Sequence, residues 1–263
     1  MSQKVYKTLV LQNEKGCLYV RMNRPEVRNA FSQEMIAEMT EVFKSVSADI
    51  RLIVLSGAGS VFCAGADLNW MKSMALFTQK ENEQDSLLLH GLFQSIRECA
   101  APVLGVVHGA VFGGGLGLVA ACDIVLCEEK TKLCFSEVKI GLVPAVISAF
   151  VFDKCSAGQA GPWMISGRVF DPMTAQRMGL VSEVADEEGL KALEAEMIHS
   201  LLNAGPEAVK ATKKLLRDLP TWTLDMSRIN TTQLIAERRV SSEGQEGIKA
   251  FLEKREASWK AGK

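Results

Sequence analysis

The apolar and polar positions at the start of the chain follow the pattern of strands. Residues 5–12 (VYKTLVLQ) and 16–22 (GCLYVRM) flank the turn-forming sequence NEKG, which predicts a β-hairpin. Beyond Pro25 the apolar residues recur at helical spacing, and Ser32 stands where an N-terminal cap belongs. This pattern predicts a helix with one buried face, formed by Met35, Met39, Val42, Phe43 and Val46.

Buried strands and helices then alternate along the middle of the chain. Continuous apolar runs at residues 50–57, 101–109 and 123–127 predict strands that are covered on both faces. Residues 68–100 have a helical pattern, in which we expect a polar break at 78–85 (TQKENEQD). Two shorter elements are also predicted, a helix at 116–122 and a strand at 132–135.

After about residue 157 helical patterns dominate the sequence. Residues 179–185 (GLVSEVA) have the composition of a strand, and no stretch resembles a flexible linker. The layout predicts an α/β fold in which residues 1–200 form a core of repeated strand–helix units. Residues 201–263 are expected to form a helical region attached to that core.

Composition narrows the class of protein. With 263 residues, 48% of them hydrophobic, the chain can bury a large core, and its net charge of −1 offers no basic surface for nucleic acid. Seven cysteines occur without a CxxC pair, so we expect reduced thiols, no metal site and a cytoplasmic location. We expect no signal peptide, because the N-terminal residues lack a long apolar stretch and a small-residue cleavage site. We expect no membrane partner, because apolar runs of roughly 18 residues are absent.

The sequence HGAVFGGGLGLVAACDI, residues 108–124, contains three adjacent glycines. Glycine is entropically costly in a folded chain, and close packing of a helix against a strand is one reason to accept that cost. A second explanation for the glycines is a dinucleotide-binding fingerprint. Gly115, Gly117 and Ala120 have its spacing, and Glu137 supplies the acidic residue that follows it. The next strand begins six residues after Gly117, whereas a parallel crossover needs about a dozen, which disfavours a nicotinamide-dependent oxidoreductase.

A third explanation is that the glycines leave backbone N–H groups free to bind a negative oxygen. One donor is rarely enough for this task. Residues 62–68 (FCAGADL) provide a second bare loop between a buried strand and a helix. Two such loops can point two N–H groups at one oxygen, so the pair predicts an oxyanion hole.

Four motifs in this order resemble the crotonase superfamily, the enoyl-CoA hydratase/isomerase superfamily. They are NRPEVRNAFS (23–32), FCAGADL, HGAVFGGGLGLVAACDI and FSEVKIGLVP (135–144), and the resemblance extends over residues 5–260. It implies a crotonase-like spiral of βαβ units with a helical C-terminal trimerisation region. It also implies a coenzyme A thioester as substrate, no separate cofactor, and a homotrimer or a dimer of trimers.

The resemblance also assigns residues to the site. The N–H groups of Ala66 and Gly114 match the two oxyanion donors, and the Ala64 carbonyl matches the group that meets the adenine of CoA. Residues 26–28 match the loop that lies along the CoA chain. The full set expected to contact substrate is Glu26, Val27, Arg28, Ala64, Gly65, Ala66, Asp67, Leu68, Gly113 and Gly114.

Glu137 matches one of the two glutamates with which the family's hydratases hold a water. It lies between apolar segments, so we expect a raised pKa, which suits proton transfer near neutrality. The other glutamate is replaced by Gly117, which departs from the family pattern. Ser136 or Ser148 would then help Glu137 to hold the water.

These residues predict an enoyl-CoA hydratase that acts on a short or branched substrate. The segment VPAVIS (143–148) resembles a bacterial subgroup that includes methylglutaconyl-CoA hydratases. The missing glutamate leaves an enoyl-CoA double-bond isomerase as the alternative, and a catalytically silent CoA-binding protein as another. Trp70 and Met71 either line the acyl pocket or pack in the core, and Cys63 is expected to be a packed thiol rather than a reactive one.

Overall fold

The predicted hairpin lies at one edge of the main sheet. In the computed structural model, which describes residues 5–260, β1 (Leu9–Glu14) and β2 (Cys17–Met22) pair in antiparallel orientation. Lys15 and Gly16 connect them with φ angles of 50° and 84°. Two consecutive left-handed residues make the tight turn that suits the right-handed twist of strands, and Gly16 adopts this conformation without a steric penalty.

The buried runs in the middle of the sequence form the remaining strands. These are β3 (Leu52–Gly57), β4 (Val103–Val107), β5 (Ala110–Phe112), β6 (Ile124–Glu128), β7 (Lys132–Cys134) and β8 (Glu183–Ala185). The main sheet has the order β1-β2-β3-β4-β6-β8, with parallel pairings from β2 to β8. The carboxyl ends of β3 and β4 therefore meet at one edge, where the two glycine-containing loops begin.

β5 and β7 form a separate parallel pair. The sequence pattern does not predict β5, because its three residues are too few to show a period. Its pairing with β7 places the chain after Cys134 beside the triple glycine.

The α-helices confirm the expected α/β core and the helical C-terminal region. They are α1 (Gln33–Lys44), α2 (Leu68–Met74), α3 (Gln79–Glu98), α4 (Gly115–Ala121), α5 (Ala145–Lys154), α6 (Ala157–Ser166), α7 (Pro172–Met178), α8 (Glu187–Asn203), α9 (Pro206–Asp218), α10 (Leu224–Val240) and α11 (Ser242–Leu252). Short 3₁₀ helices lie at Pro25–Val27, Glu137–Ile140, Leu219–Thr221 and Ser258–Lys260. The boundary expected after residue 200 falls inside α8, and the division into 1–200 and 201–263 stays a prediction.

The helix caps confirm one prediction and correct another. Ser32 caps α1, where its Oγ accepts a hydrogen bond from the Met35 N–H at 3.2 Å. The polar break expected at 78–85 is misplaced, because the helical region is interrupted at 75–78, between α2 and α3. Thr78 instead caps α3 in a reciprocal pair with Glu81, and the polar residues that follow begin that helix.

Both faces of the main sheet are covered, which explains why its strands lack alternation. On one face, α1, α3, α4 and α5 enclose a core that contains Phe31, Phe93 and Ile147. On the other face, Leu190 of α8 packs over a smaller cluster. All seven cysteines are buried and unpaired, as expected for reduced thiols. Within residues 5–260, no helix has the length and apolar character needed to cross a membrane.

An ion pair between a buried lysine and an exposed aspartate fastens α9 to the sheet. Lys213 Nζ lies 2.8 Å from Asp123 Oδ2 and donates to the carbonyls of Ala101 at 3.0 Å and Ile96 at 3.3 Å. Asp123 also accepts a hydrogen bond from the Val103 N–H at 2.7 Å. Because the Lys213 side chain is only 6% exposed, its charge depends on these partners rather than on water.

Replacing Lys213 tests this attachment. Lys213→Met should lower the free energy of unfolding by about 1–3 kcal/mol, because it leaves the carbonyls of Ala101 and Ile96 without the hydrogen bonds from Lys213. Lys214→Met is the matched control, since Lys214 pairs with Asp218 at 2.6 Å in an exposed position and its loss should cost less than about 1 kcal/mol. Urea denaturation measures both, and equal losses of stability would contradict the role of the buried lysine.

Candidate active site

The two glycine-containing loops lie side by side. The Cys63 N–H donates to the Ala110 carbonyl at 3.2 Å, and the Phe112 N–H donates to the Cys63 carbonyl at 3.0 Å. These bonds form a parallel bridge between Cys63 and Val111. A Cβ on Gly115 would lie 2.9 Å from the Cys63 carbonyl oxygen, so this close approach requires glycine.

The backbone around Ala66 is held on both sides by Phe31. The Phe31 N–H donates to the Gly65 carbonyl at 2.7 Å, and the Asp67 N–H donates to the Phe31 carbonyl at 2.8 Å. The Ala66 N–H itself donates to no acceptor among residues 5–260. An amide that is fixed in place and left open has the properties of an oxyanion donor.

The Gly114 N–H is open in the same way. The Gly113 N–H before it donates to the Cys134 carbonyl at 2.9 Å, and the Leu116 N–H after it donates to the Gly113 carbonyl at 2.9 Å. In the part of the chain that the structure describes, the Gly114 N–H has no acceptor. A Cβ on Gly114 would lie 3.2 Å from the Phe31 ring, so Phe31 packs against both loops.

Glu137 follows β7 and lies beside the triple glycine. A Cβ on Gly113 would be 3.4 Å from Glu137 Oε1 and 3.3 Å from Ser136 Oγ, so both side chains reach the loop of the open Gly114 amide. Glu137 Oε2 is buried and accepts no hydrogen bond from the described residues. Burial raises the pKa of this carboxyl above its ordinary value and outweighs the opposite effect of a bond from its own amide.

The two serines expected to assist Glu137 differ in their surroundings. Ser136 Oγ lies beside Gly113 and has no hydrogen-bond partner within residues 5–260. Ser148 Oγ instead donates to the Ala145 carbonyl at 2.6 Å. The polar group that is free next to Glu137 is therefore Ser136.

Apolar side chains fill the position of the missing glutamate. A Cβ on Gly117 would lie 2.6 Å from Phe93 Cε2 and 2.8 Å from Ile147 Cγ2. Phe93 is fully buried and packs edge-on against Phe31 and Phe150, with centroid distances of 6.2 and 5.5 Å. A carboxylate side chain at position 117 therefore has no room in this packing.

The loop expected to lie along CoA, residues 26–28, is exposed. A hydrogen bond joins it to the loop that carries Ala66. Glu26 and Val27 belong to the 3₁₀ helix Pro25–Val27, and Arg28 follows with a φ of 56°. The Ala64 N–H donates to the Arg28 carbonyl at 3.0 Å, and the Ala64 carbonyl accepts no hydrogen bond from the described chain. Contact of these residues with CoA stays a prediction.

Asp67 has protein partners for both of its carboxylate oxygens. Oδ1 caps α2 by accepting from the Asn69 N–H at 2.8 Å, and Oδ2 lies 2.9 Å from the Arg24 guanidinium. Burial acts to raise the pKa of Asp67, but the Asn69 amide and Arg24 outweigh it and the pKa is lowered. Asp67 thus anchors the loop, while Leu68 beside it is 75% exposed. Their contact with substrate stays a prediction.

Sequence reasoning missed Asn29, which joins two loops of the site. Asn29 is fully buried, and its Nδ2 donates to the carbonyls of Ala58 at 2.8 Å and Val61 at 2.7 Å. Its Oδ1 accepts from the Arg24 N–H at 2.9 Å. The only signal in the sequence is a polar residue before the apolar pair AF, which does not reveal where the amide bonds.

Trp70 and Cys63 pack in the interior. Trp70 is 7% exposed and belongs to the main core, which agrees with the expectation that it packs in the core. Met71 is half-buried. Burial raises the pKa of the Cys63 thiol to about 12, so Cys63 is a packed thiol and not a nucleophile. Across residues 5–260, no group of three or more His, Cys, Asp or Glu side chains is arranged to hold a metal ion.

Two open amides and one carboxylate, whose Oε2 is buried and has no partner among residues 5–260, indicate the class of the protein. Such a site belongs to enzymes that stabilise an enolate oxygen and move a proton. The family profile for enoyl-CoA hydratase/isomerase matches residues 12–262. The chain therefore belongs to the enoyl-CoA hydratase/isomerase family, and the crotonase-like fold expected from its motifs is confirmed.

Individual relatives agree with this assignment. An enoyl-CoA hydratase of Alternaria alternata is 33% identical over 92% of this chain and 80% of its own length. The human mitochondrial Δ(3,5)-Δ(2,4)-dienoyl-CoA isomerase is 31% identical over 92% of this chain and 81% of its own. The crystal structure of an enoyl-CoA hydratase from Shewanella pealeana is 34% identical, with a TM-score of 0.91 over 97% of this chain and 96% of that one.

A methyl group at position 117 tests the packing around Phe93. Gly117→Ala should lower the free energy of unfolding by about 1–3 kcal/mol, because the added Cβ overpacks Phe93 and Ile147. Gly91→Ala is the matched control in α3, since nothing lies within 4 Å of a Cβ there and alanine should stabilise the helix by about 0.5–1 kcal/mol. Chemical denaturation that finds Gly117→Ala as stable as wild type would refute this packing.

Proposed function

We propose that the protein adds water across the 2,3 double bond of a short or branched enoyl-CoA. The observation that carries this proposal is the Glu137 carboxylate beside the triple glycine, whose Oε2 is buried and has no partner among the residues that the structure describes. A buried ionisable group without a partner is costly, and such groups occur preferentially at functional sites. Its raised pKa suits the uptake and release of a proton near neutral pH.

The two open amides would supply the electrostatic part of the reaction. Attack at C3 moves electrons onto the thioester oxygen, to which the N–H groups of Ala66 and Gly114 would donate. They favour the charged oxygen of the transition state over the neutral carbonyl of the bound substrate. The loss of one such donor typically costs about 3 kcal/mol of transition-state stabilisation. The reaction needs no separate cofactor.

Glu137 would carry the proton. Its carboxylate accepts a proton from water as the water oxygen bonds to C3, which leaves a carboxylic acid and an enolate. The acid then gives the proton to C2, so the carboxylate is restored and a 3-hydroxyacyl-CoA is formed. Ser136 Oγ, on the same side of Gly113, would hold the water in place of a second glutamate.

An enoyl-CoA double-bond isomerase is the second candidate function. Phe93 and Ile147 occupy the position of the missing carboxylate, and a single carboxylate suffices to move a proton between C2 and C4. The same two amides would stabilise the enolate. A dienoyl-CoA isomerase is among the relatives, as are several hydratases.

For the substrate, we propose that CoA lies along residues 26–28 with its adenine at the Ala64 carbonyl. The open Ala64 carbonyl and the exposed loop support this placement. We propose an acyl group that is short or branched, including one of the methylglutaconyl type. The support is the resemblance of the segment that contains Ile147, which packs against α4.

We also propose that the protein is a cytoplasmic homotrimer or dimer of trimers. Large exposed apolar side chains on the C-terminal helices support contacts between copies, because monomers rarely leave large apolar patches in water. Four of them are 73–88% exposed: Leu224, Val240, Phe251 and Leu252.

Two substrates separate hydration from isomerisation. With trans-2-enoyl-CoA the enzyme should remove the absorbance of the conjugated thioester, whereas an isomerase would create that absorbance from trans-3-enoyl-CoA.

Glu137→Gln should lower the rate of hydration by about 100-fold or more, because the amide cannot accept the proton. Turnover of the 3-enoyl substrate alone would support the isomerase, and CoA binding without any turnover would indicate a silent protein.

The two serines provide a matched control for this assay. Ser136→Ala should lower kcat for hydration by about tenfold, because one hydrogen bond to the attacking water is lost. Ser148→Ala removes the same hydroxyl from a position where it donates to the Ala145 carbonyl, and its kcat should stay within about twofold of wild type. An equal effect of the two variants would contradict the role of Ser136.

Glu137→Gln should also change how stability depends on pH. The pKa of Glu137 is higher in the folded protein than in the unfolded chain, so its ionisation destabilises the fold as pH rises from the unfolded pKa through the folded one. The variant should be more stable than wild type above the raised pKa and equally stable below the ordinary value of 4.5. Urea denaturation across this range measures the difference, and a less stable variant at neutral pH would contradict an unpartnered carboxylate.

A further inference from the structure

A carboxylate of α3 is buried, and no step of the proposed reaction uses it. Asp85 of α3 is 6% exposed. Its Oδ1 accepts hydrogen bonds from Trp70 Nε1 and from Gln33 Nε2, each at 3.1 Å. In the described part of the chain no cation forms an ion pair with Asp85, so both of its bonds come from neutral donors. A buried carboxylate of this kind is costly to retain for stability alone.

One donor to Asp85, Trp70, lies on α2, which begins two residues after Ala66. Asp67 separates Ala66 from α2, and Asp67 Oδ1 accepts from the backbone N–H groups of Asn69 at 2.8 Å and Trp70 at 3.4 Å. Trp70 is therefore part of the first turn of α2. A rotation of this turn would also rotate the peptide that carries the Ala66 N–H.

The other donor lies on the helix that begins after Phe31. Gln33 is the first residue of α1, and Phe31, two residues earlier, bonds to Gly65 and Asp67 on either side of Ala66. A single oxygen of Asp85 thus joins the first turns of α1 and α2. These are the two segments whose contacts hold the backbone of Ala66.

We propose that Asp85 is a positioning residue that orients the Ala66 N–H toward the thioester oxygen. It acts through Trp70 and Gln33, whose side-chain N–H groups it fixes. This inference rests on the proposed function, because it assigns the Ala66 amide to the oxyanion hole. The geometry requires an acceptor of two hydrogen bonds at this position, and an asparagine oxygen meets that requirement as well as a carboxylate does.

Acetoacetyl-CoA is the probe for this proposal. Its enolate absorbs in the near ultraviolet and carries negative charge that the oxyanion hole stabilises, so the ratio of bound enolate to bound keto form reports on the two amides without turnover. Wild type should raise this ratio above that of free acetoacetyl-CoA. Trp70→Phe and Asp85→Leu should each lower it by about tenfold, less than the hundredfold or more expected when a donor is lost.

The variants are chosen to separate positioning from stability. Asp85→Asn keeps the acceptor and should retain the wild-type ratio, and the double variant Trp70→Phe/Asp85→Leu should be no worse than either single one. Trp259→Phe is the matched control, since Trp259 Nε1 donates to the Asn203 carbonyl at 3.2 Å away from the site. Gln33→Leu removes one donor, and its expected loss of about threefold provides a test if Asp85→Leu does not fold.

Each outcome is decisive. Variants that lower the melting temperature but keep the wild-type enolate ratio would reduce Asp85 to a structural residue and overturn the proposal. An Asp85→Asn variant as impaired as Asp85→Leu would also overturn it, because the charge and not the accepted bonds would then matter. A wild-type protein that does not favour the enolate would overturn the proposed function and this inference together.

Discussion

The backbone bridge between Cys63 and Val111 is the contact on which the site depends. It joins the loops that leave two neighbouring parallel strands, so two amides from distant parts of the chain reach the same edge of the sheet. Gly115 permits the approach, since a side chain there would meet the Cys63 carbonyl. The Phe31 ring packs against Gly114. The Phe31 backbone forms hydrogen bonds with the Gly65 carbonyl and the Asp67 N–H, on either side of Ala66. Within residues 5–260 the N–H groups of Ala66 and Gly114 have no acceptor, which is the property that donors to an oxyanion need.

The second constraint is the burial of Glu137 Oε2 beside the triple glycine. The pairing of β5 with β7 brings it there, and desolvation keeps its pKa above the ordinary value. The side of α4 that would carry a second carboxylate is instead occupied by Phe93 and Ile147. In the proposed reaction the two open amides therefore act with one carboxylate, Glu137, which would have to handle the proton alone.

Much of the fold and part of the site could be predicted from the sequence. The long apolar runs and the glycine loops have strong local signals, and the family motifs bring Glu137 to attention. Other features depend on contacts between distant segments. The three residues of β5 show no period, and a polar run such as 78–85 has the same composition on an exposed helix as in a loop. The partners of Asn29 and Asp85, and the side chains that exclude a glutamate at Gly117, become visible only when the chain is folded.

A crystal structure with a bound acyl-CoA thioester would test the central claim most directly. The thioester oxygen should lie roughly 2.7–3.1 Å from the backbone nitrogens of both Ala66 and Gly114, with the Glu137 carboxylate facing C2 and C3 of the acyl chain. A complex in which these amides bond to the protein or to the pyrophosphate of CoA, while the thioester oxygen lies elsewhere, would contradict it.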